Sequence, residues 1–236
     1  MPNLTTYYLP NAFIARNEIH YSSSWWWKTW GIDVGELINH PALYSNPNAT
    51  VHTVAELNAL DSSVETIIVD TNGCDDSSFT VLNLNRFVNL KVLEIGDYSF
   101  TYVKEVYMTG LSKLESVIIG SESFRVRKGV YGYDDKLQFH LRDCDALREL
   151  KIDRWSFYEY GVCEIDNLPS LETIDIGDMV ISSDNFHYAS LELKSESEKR
   201  EWEIDMPQLK LVVIGNGVFS YGKLAVFESD SWNAWW

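Results

Sequence analysis

The chain has 236 residues, 45% of them apolar, and a net charge of −16. That length and apolar content can build a sizeable core and exclude a disordered chain. The acidic balance excludes nucleic acid and anionic membrane as partners, because both need basic faces, and no apolar run approaches the roughly 18 residues of a membrane span.

The chain opens on MPNLTTYYLPNAF, which has neither the basic start nor the apolar centre of a secretion signal. That fits a cytosolic protein, or one whose leader has been removed. Asn3 (NLT) and Asn48 (NAT) sit in sequons that accept glycans in a secretory setting. The stretch SSSWWWKTWG then gathers Trp25, Trp26, Trp27 and Trp30 in a loop-rich region. In VHTVAELNALDS, the spacing of Val54, Leu57 and Leu60 predicts a short helix. Residues 1–62 read as a non-repetitive N-terminal cap or arm ending in that helix, and residues 63–236 as a second, repetitive domain.

From residue 64 the sequence repeats. VETIIVDTNG from Val64 is a weak first copy, followed by LKVLEIGDYSF, LESVIIGSESF, LRELKIDRWSF, LETIDIGDMVI and LKLVVIGNGVF from Leu90, Leu114, Leu147, Leu171 and Leu209. The starts are 26, 24, 33, 24 and 38 residues apart, a basic unit of 24 with whole insertions, which is the signature of a solenoid. In LKVLEI, Leu93 and Ile95 alternate with Glu94, so the segment is a strand with one buried face. Gly96, Gly120, Gly177 and Gly215 follow, where the chain bends with no Cβ in the way. Phe100, Phe124, Phe157 and Phe219 then return a ring to the core, with Ile181 replacing it once. The stretches VKEVYM, LQFHL, GVCEI and EWEI read as second strands. Strands at Leu93–Ile95, Val117–Ile119, Leu150–Ile152, Ile174–Ile176 and Val212–Ile214 are expected side by side and parallel.

Two insertions follow the aromatic step, RVRKGVYGYDDK and SSDNFHYASLELKSESEKRE. They place Tyr131, Tyr133, Phe186 and Tyr188 on one side, as a binding patch or as tolerated decoration of the solenoid edge. Cys74, Cys144 and Cys163 fit three buried thiols or one disulfide plus a free thiol. His140 reads as an exposed strand residue; DTNGCDDSS lacks the closing Glu of a calcium loop, and RDCDA has no partner histidine. There is no phosphate-binding glycine loop, paired zinc-ligand histidines or nucleophile elbow. The expectation is a non-enzyme with no catalytic residue, metal or cofactor.

The Leu-x-x-Leu-x-Leu core resembles a leucine-rich repeat, with Tyr98, Glu122, Trp155, Met179 and Gly217 where that motif carries an Asn. The Ile-Gly and Ser-Phe steps are similar to the BspA-type repeats of bacterial and protist surface proteins. The resemblance implies a mainly β fold, a right-handed leucine-rich-repeat-type β-solenoid of about six coils with a non-repetitive N-terminal flank. It also implies an extracellular or surface protein for adhesion or interaction.

The last residues carry Trp232, Trp235 and Trp236. With the N-terminal cluster they are expected to form an interface that stacks solenoids head to tail into a filament or sheath. Folding back as caps on the chain's own ends, or contact with a foreign partner, are the other readings. A recognition module that binds a protein or glycan through its exposed sheet and insertions is the alternative function.

Overall fold

In the computed structural model, residues 47–126, 134–194 and 210–220 are described. The chain divides into two units, Met1–Tyr44 and Ser45–Trp236, and the first lies outside the described residues. The second is mainly β. Its elements are β1 (Asn48–Val51), α1 (Val54–Ala59), β2 (Thr66–Val69), β3 (Val81–Asn83), β4 (Val92–Ile95), β5 (Glu105–Thr109) and β6 (Ser116–Ile119). After them come β7 (Asp134–Arg142), β8 (Glu149–Ile152), β9 (Tyr160–Asp166), β10 (Thr173–Ile176), β11 (Ser190–Lys194) and β12 (Leu211–Ile214). They form two parallel sheets, a seven-stranded one ordered β1-β2-β4-β6-β8-β10-β12 and a five-stranded one ordered β11-β9-β7-β5-β3. From β2 onward the chain alternates between the sheets.

The five strands expected side by side are β4, β6, β8, β10 and β12, adjacent in that order. In register, Ile67, Leu93, Val117, Leu150, Ile174 and Val212 form one row facing the core. Val69, Ile95, Ile119, Ile152, Ile176 and Ile214 form the next. Period-2 alternation sends Glu94 and Lys151 outward between them. Four-residue β1, from the stretch read as flank, pairs in parallel with β2. The expected helix is α1. Thr53 and Glu56 cap its start reciprocally, and Leu57 is buried beneath it.

In the smaller sheet, β5, β7 and β9 contain most of VKEVYM, LQFHL and GVCEI. EWEI lies outside the described residues, and the neighbour of β9 is instead β11, drawn from the stretch read as an insertion. The cause is the preceding turn. Phe100, Phe124, Phe157, Phe186 and Phe219 stack in one column, with consecutive centroids 5.1, 4.6, 4.8 and 5.5 Å apart and planes within 10°. The ring that continues the column after Phe157 is therefore Phe186, not Ile181, which points to solvent at 49% exposure. Five extra residues lie before the step, not after it.

A column of polar groups runs beside the rings. Ser123 Oγ accepts from Ser99 N at 3.2 Å and donates to Gly96 O at 2.8 Å. Ser156 Oγ likewise accepts from Ser123 N at 3.0 Å and donates to Gly120 O at 2.6 Å. Asn185 takes the next place, its Nδ2 donating to Asp153 O at 2.6 Å. These buried bonds satisfy turn backbone that would otherwise be left dry. Each such residue sits between two left-handed neighbours: Tyr98 and Phe100, Glu122 and Phe124, Trp155 and Phe157, Asp184 and Phe186. The glycine that ends the strand is needed for proximity. A Cβ on Gly96 would lie 2.6 Å from Thr71 N, and one on Gly215 2.5 Å from Asp178 N.

Candidate functional site

The residues singled out in the sequence separate on the structure. Trp25, Trp26, Trp27, Trp30, Trp232, Trp235, Trp236, Asn3, Tyr131 and Tyr133 lie outside the described residues. Asn48 is exposed on β1. Phe186 cannot belong to an exposed patch. It is fully buried because the ring column requires it. Tyr188 is half-buried in an aromatic cluster on the turn side.

That cluster is built from two short rows. Glu122, Trp155 and Asp184 occupy the first left-handed position of three consecutive turns, and Arg125, Tyr158 and His187 lie three residues later. The Arg125 guanidinium sits 4.8 Å over Trp155 and 5.4 Å over Tyr158, and is held by Glu122 Oε2 at 2.9 Å. Tyr158 stacks on His187 at 5.0 Å, while Tyr188 meets both rings edge-on. Asp184 Oδ1 lies 3.5 Å from His187 Nδ1. Burial and then the neighbouring Tyr188 push the Tyr158 phenol up to about 12. The arrangement is an amphipathic contact surface of aromatic rings and paired charges, able to stack and hydrogen-bond. Sequence reasoning reached Tyr188 and missed Arg125, Trp155, Tyr158 and His187. Arg125 and Tyr158 share a column on either alignment, but only aligning the copies on the Ser/Asn-Phe step, not on the Ile, adds His187 to it.

The outer face of the smaller sheet is a second polar cluster, on β5, β7 and β9. The His140 ring lies parallel to Tyr107 at 5.1 Å, and its Nδ1 is 2.6 Å from Glu164 Oε2. Arg142 bridges Glu164 at 3.6 Å and the buried Asp166 at 3.5 Å. Tyr107 donates to Glu105 at 2.7 Å. His140, expected to be exposed, is thus half-buried within this chain of pairs.

The acids of DTNGCDDSS are used in turns. Asp75 Oδ1 accepts from both Thr101 N and Thr101 Oγ1, and Asp76 accepts from Ser78 N. In RDCDA, Asp143 accepts from Asn167. Among the described residues no group of three or more His, Cys, Asp or Glu is placed to hold a metal, and no helix is long and apolar enough to cross a membrane. Cys74, Cys144 and Cys163 are free and buried, and burial raises all three thiols.

One more row crosses the entry to the larger sheet. Glu65, Lys91, Glu115, Arg148, Glu172 and Lys210 are joined in sequence by backbone bonds, each N–H reaching the carbonyl of the one before. Their signs alternate, and Lys91–Glu65 and Lys210–Glu172 both close at 2.8 Å. No protein-family model matches the chain, and neither does any curated protein or solved structure.

Proposed function

We propose that the chain is a non-enzymatic structural protein of the leucine-rich-repeat kind, and that it works by associating with copies of itself. In this reading the two sheets are opposite sides of a right-handed β-solenoid of about six coils, and the site of action is the cell surface or beyond. What supports the solenoid is the strict alternation of strands between two parallel sheets, together with the ring and serine columns that link each turn to the next.

One observation carries the association. Among the described residues the core is less covered at the β12 end: Val212, Ile214, Val218 and Phe219 are only partly buried, whereas interior members of the same rows, such as Leu150 and Phe157, are fully buried. Trp232, Trp235 and Trp236 follow within 20 residues. Three such rings, burying about 200 Å² each at roughly 25 cal/mol per Å², supply about 15 kcal/mol before ordering costs. The remainder after those costs suffices to hold a contact. Sedimentation velocity on the full chain and on a chain ending at Ser231 tests this. The full chain associates and the truncated one does not; a full chain that stays monomeric at high concentration refutes the proposal.

The cluster of Arg125, Trp155, Tyr158, His187 and Tyr188 favours a second reading, a recognition module for a protein or glycan. Under it, Trp155→Ala abolishes capture of a partner and leaves sedimentation unchanged.

A further inference from the structure

We infer that copies meet through the same end of each chain, β12 against β12, giving a closed two-fold dimer and not a head-to-tail filament. This rests on the self-association reading and adds its geometry. The two edges of the larger sheet differ. At the β1 edge, Pro47 occupies the place held by Glu65, Lys91 and Lys210 in the charged row, and its carbonyl accepts from Glu65 N at 2.7 Å and Thr66 N at 2.8 Å. Every other member of that row also donates its own N–H to the row before, and proline has none to give. A copy added in parallel beyond β1 would therefore lose a bond at the entry to the strand. Pro47, the polar Asn48 and Thr50, and buried Val51 and Leu57 close this edge in the way edge strands are usually blunted.

Among the described residues, the β12 edge has none of these guards. Its strand is LVVI, with Leu211 51% exposed. Beside it the turn after β10 holds Met179 and Val180 out at 66% and 88% exposure. Asp178 Oδ1 fixes that tip by accepting from Val180 N and Ile181 N. Lys210, which precedes the strand, is already paired with Glu172. Asp178 is likewise engaged, so these described charges beside β12 already have partners within their own chain.

The pairing is also self-consistent. Two β12 strands related by a two-fold axis run antiparallel. With Val213 opposite Val213 of the second copy, Val212 faces Ile214 of that copy. Opposed residues share a face, so the open core rows of both chains cover one another. An isologous contact of this kind uses up the open end of both partners and stops.

The native cysteines are buried, so one introduced thiol can report the contact. Val213 lies in the same row as Thr50, so a head-to-tail join would set it beside Thr50 of the next copy. The full chain is prepared as Val213→Cys and as Thr50→Cys, each treated with a short bis-maleimide, alone and mixed. Dimers from Val213→Cys alone, none from Thr50→Cys alone and no heterodimer in the mixture are the expected result. Heterodimers formed only on mixing overturn the two-fold geometry and leave self-association standing. A monomer in sedimentation whose Val213→Cys thiol is shielded from monofunctional maleimide means that residues 221–236 cover the edge, and overturns both proposals. A monomer with a reactive thiol overturns both as well.

Discussion

Tyr98 sits on an exposed turn with φ 58°, in the left-handed region, as does Trp155 at 66° two rows away. An L-residue there costs about 1–2 kcal/mol, which glycine does not pay. Elsewhere glycine is the worse residue by about 0.5–1 kcal/mol, through the freedom it gains on unfolding. Subtracting one from the other leaves Tyr98→Gly more stable than Tyr98→Ala by about 0.7 kcal/mol, the reverse of the usual order. For a chain this long the difference moves Tm by about 2 °C. Both variants lose the same ring, so the contrast isolates the backbone. Rows stand about 4.8 Å apart, so Trp155 lies roughly 10 Å from Tyr98 and the two contrasts should add. The control is Glu94, exposed in mid-strand with ordinary φ, where Glu94→Ala must exceed Glu94→Gly. Denaturant melts of the six variants read the result. If glycine is no better than alanine at Tyr98 and Trp155, the left-handed turn is wrong, and so is the explanation of the ring column that depends on it.

The serine column makes a second prediction: Ser156→Ala strands the buried Ser123 N–H and Gly120 O and costs about 1–3 kcal/mol by urea denaturation, whereas Ser156→Asn, copying the donation Asn185 makes to Asp153 O, recovers only the share due to Gly120 O. The thiols of Cys74 and Cys144 are each raised to about 11 by burial, from an ordinary value near 9. A raised folded-state pKa contributes stability that is complete below the unfolded value and is lost as pH climbs through the folded one. The urea midpoint therefore falls between pH 9 and 11, and Ellman's reagent finds no thiol in the native protein at pH 8. In the charged row, Lys91→Glu sets three acids side by side and lowers the melting temperature in low salt, an effect that fades in high salt.

The strands of the larger sheet were legible because Leu93, Val117, Leu150 and Ile174 face the core at a constant distance before the turn, which in all but the Leu150 copy opens on a glycine that close approach demands. What misled was a count. Ile181 stands where Phe is expected, and it is apolar, so spacing accepted it. The fold, however, aligns on hydrogen bonding. Asn185 reproduces the serine's bond to the preceding turn and so fixes Phe186 as the next ring, and the five extra residues bulge out ahead of it. That one displacement turned β11 into a supposed insertion and Phe186 into a supposed surface residue. The short β1 had no signal of its own, since NATV carries a single large apolar residue and owes its strand conformation to β2. The cluster around Trp155 was incomplete for the same reason as β11, because Asp184 and His187 join the rows of Trp155 and Tyr158 only after the shift.

The alternating charged row gives the protein a parity. Loss of a single turn between Glu65 and Arg148 would bring Glu65 against Glu115, or Lys91 against Arg148, and leave like charges facing each other at the sheet edge. Loss of two restores the match, Glu65 meeting Arg148. Duplications obey the same arithmetic. A gene that lengthens or shortens such a protein by recombination is therefore favoured to do so two turns at a time, and the step of its growth in length is set at twice the step of its fold.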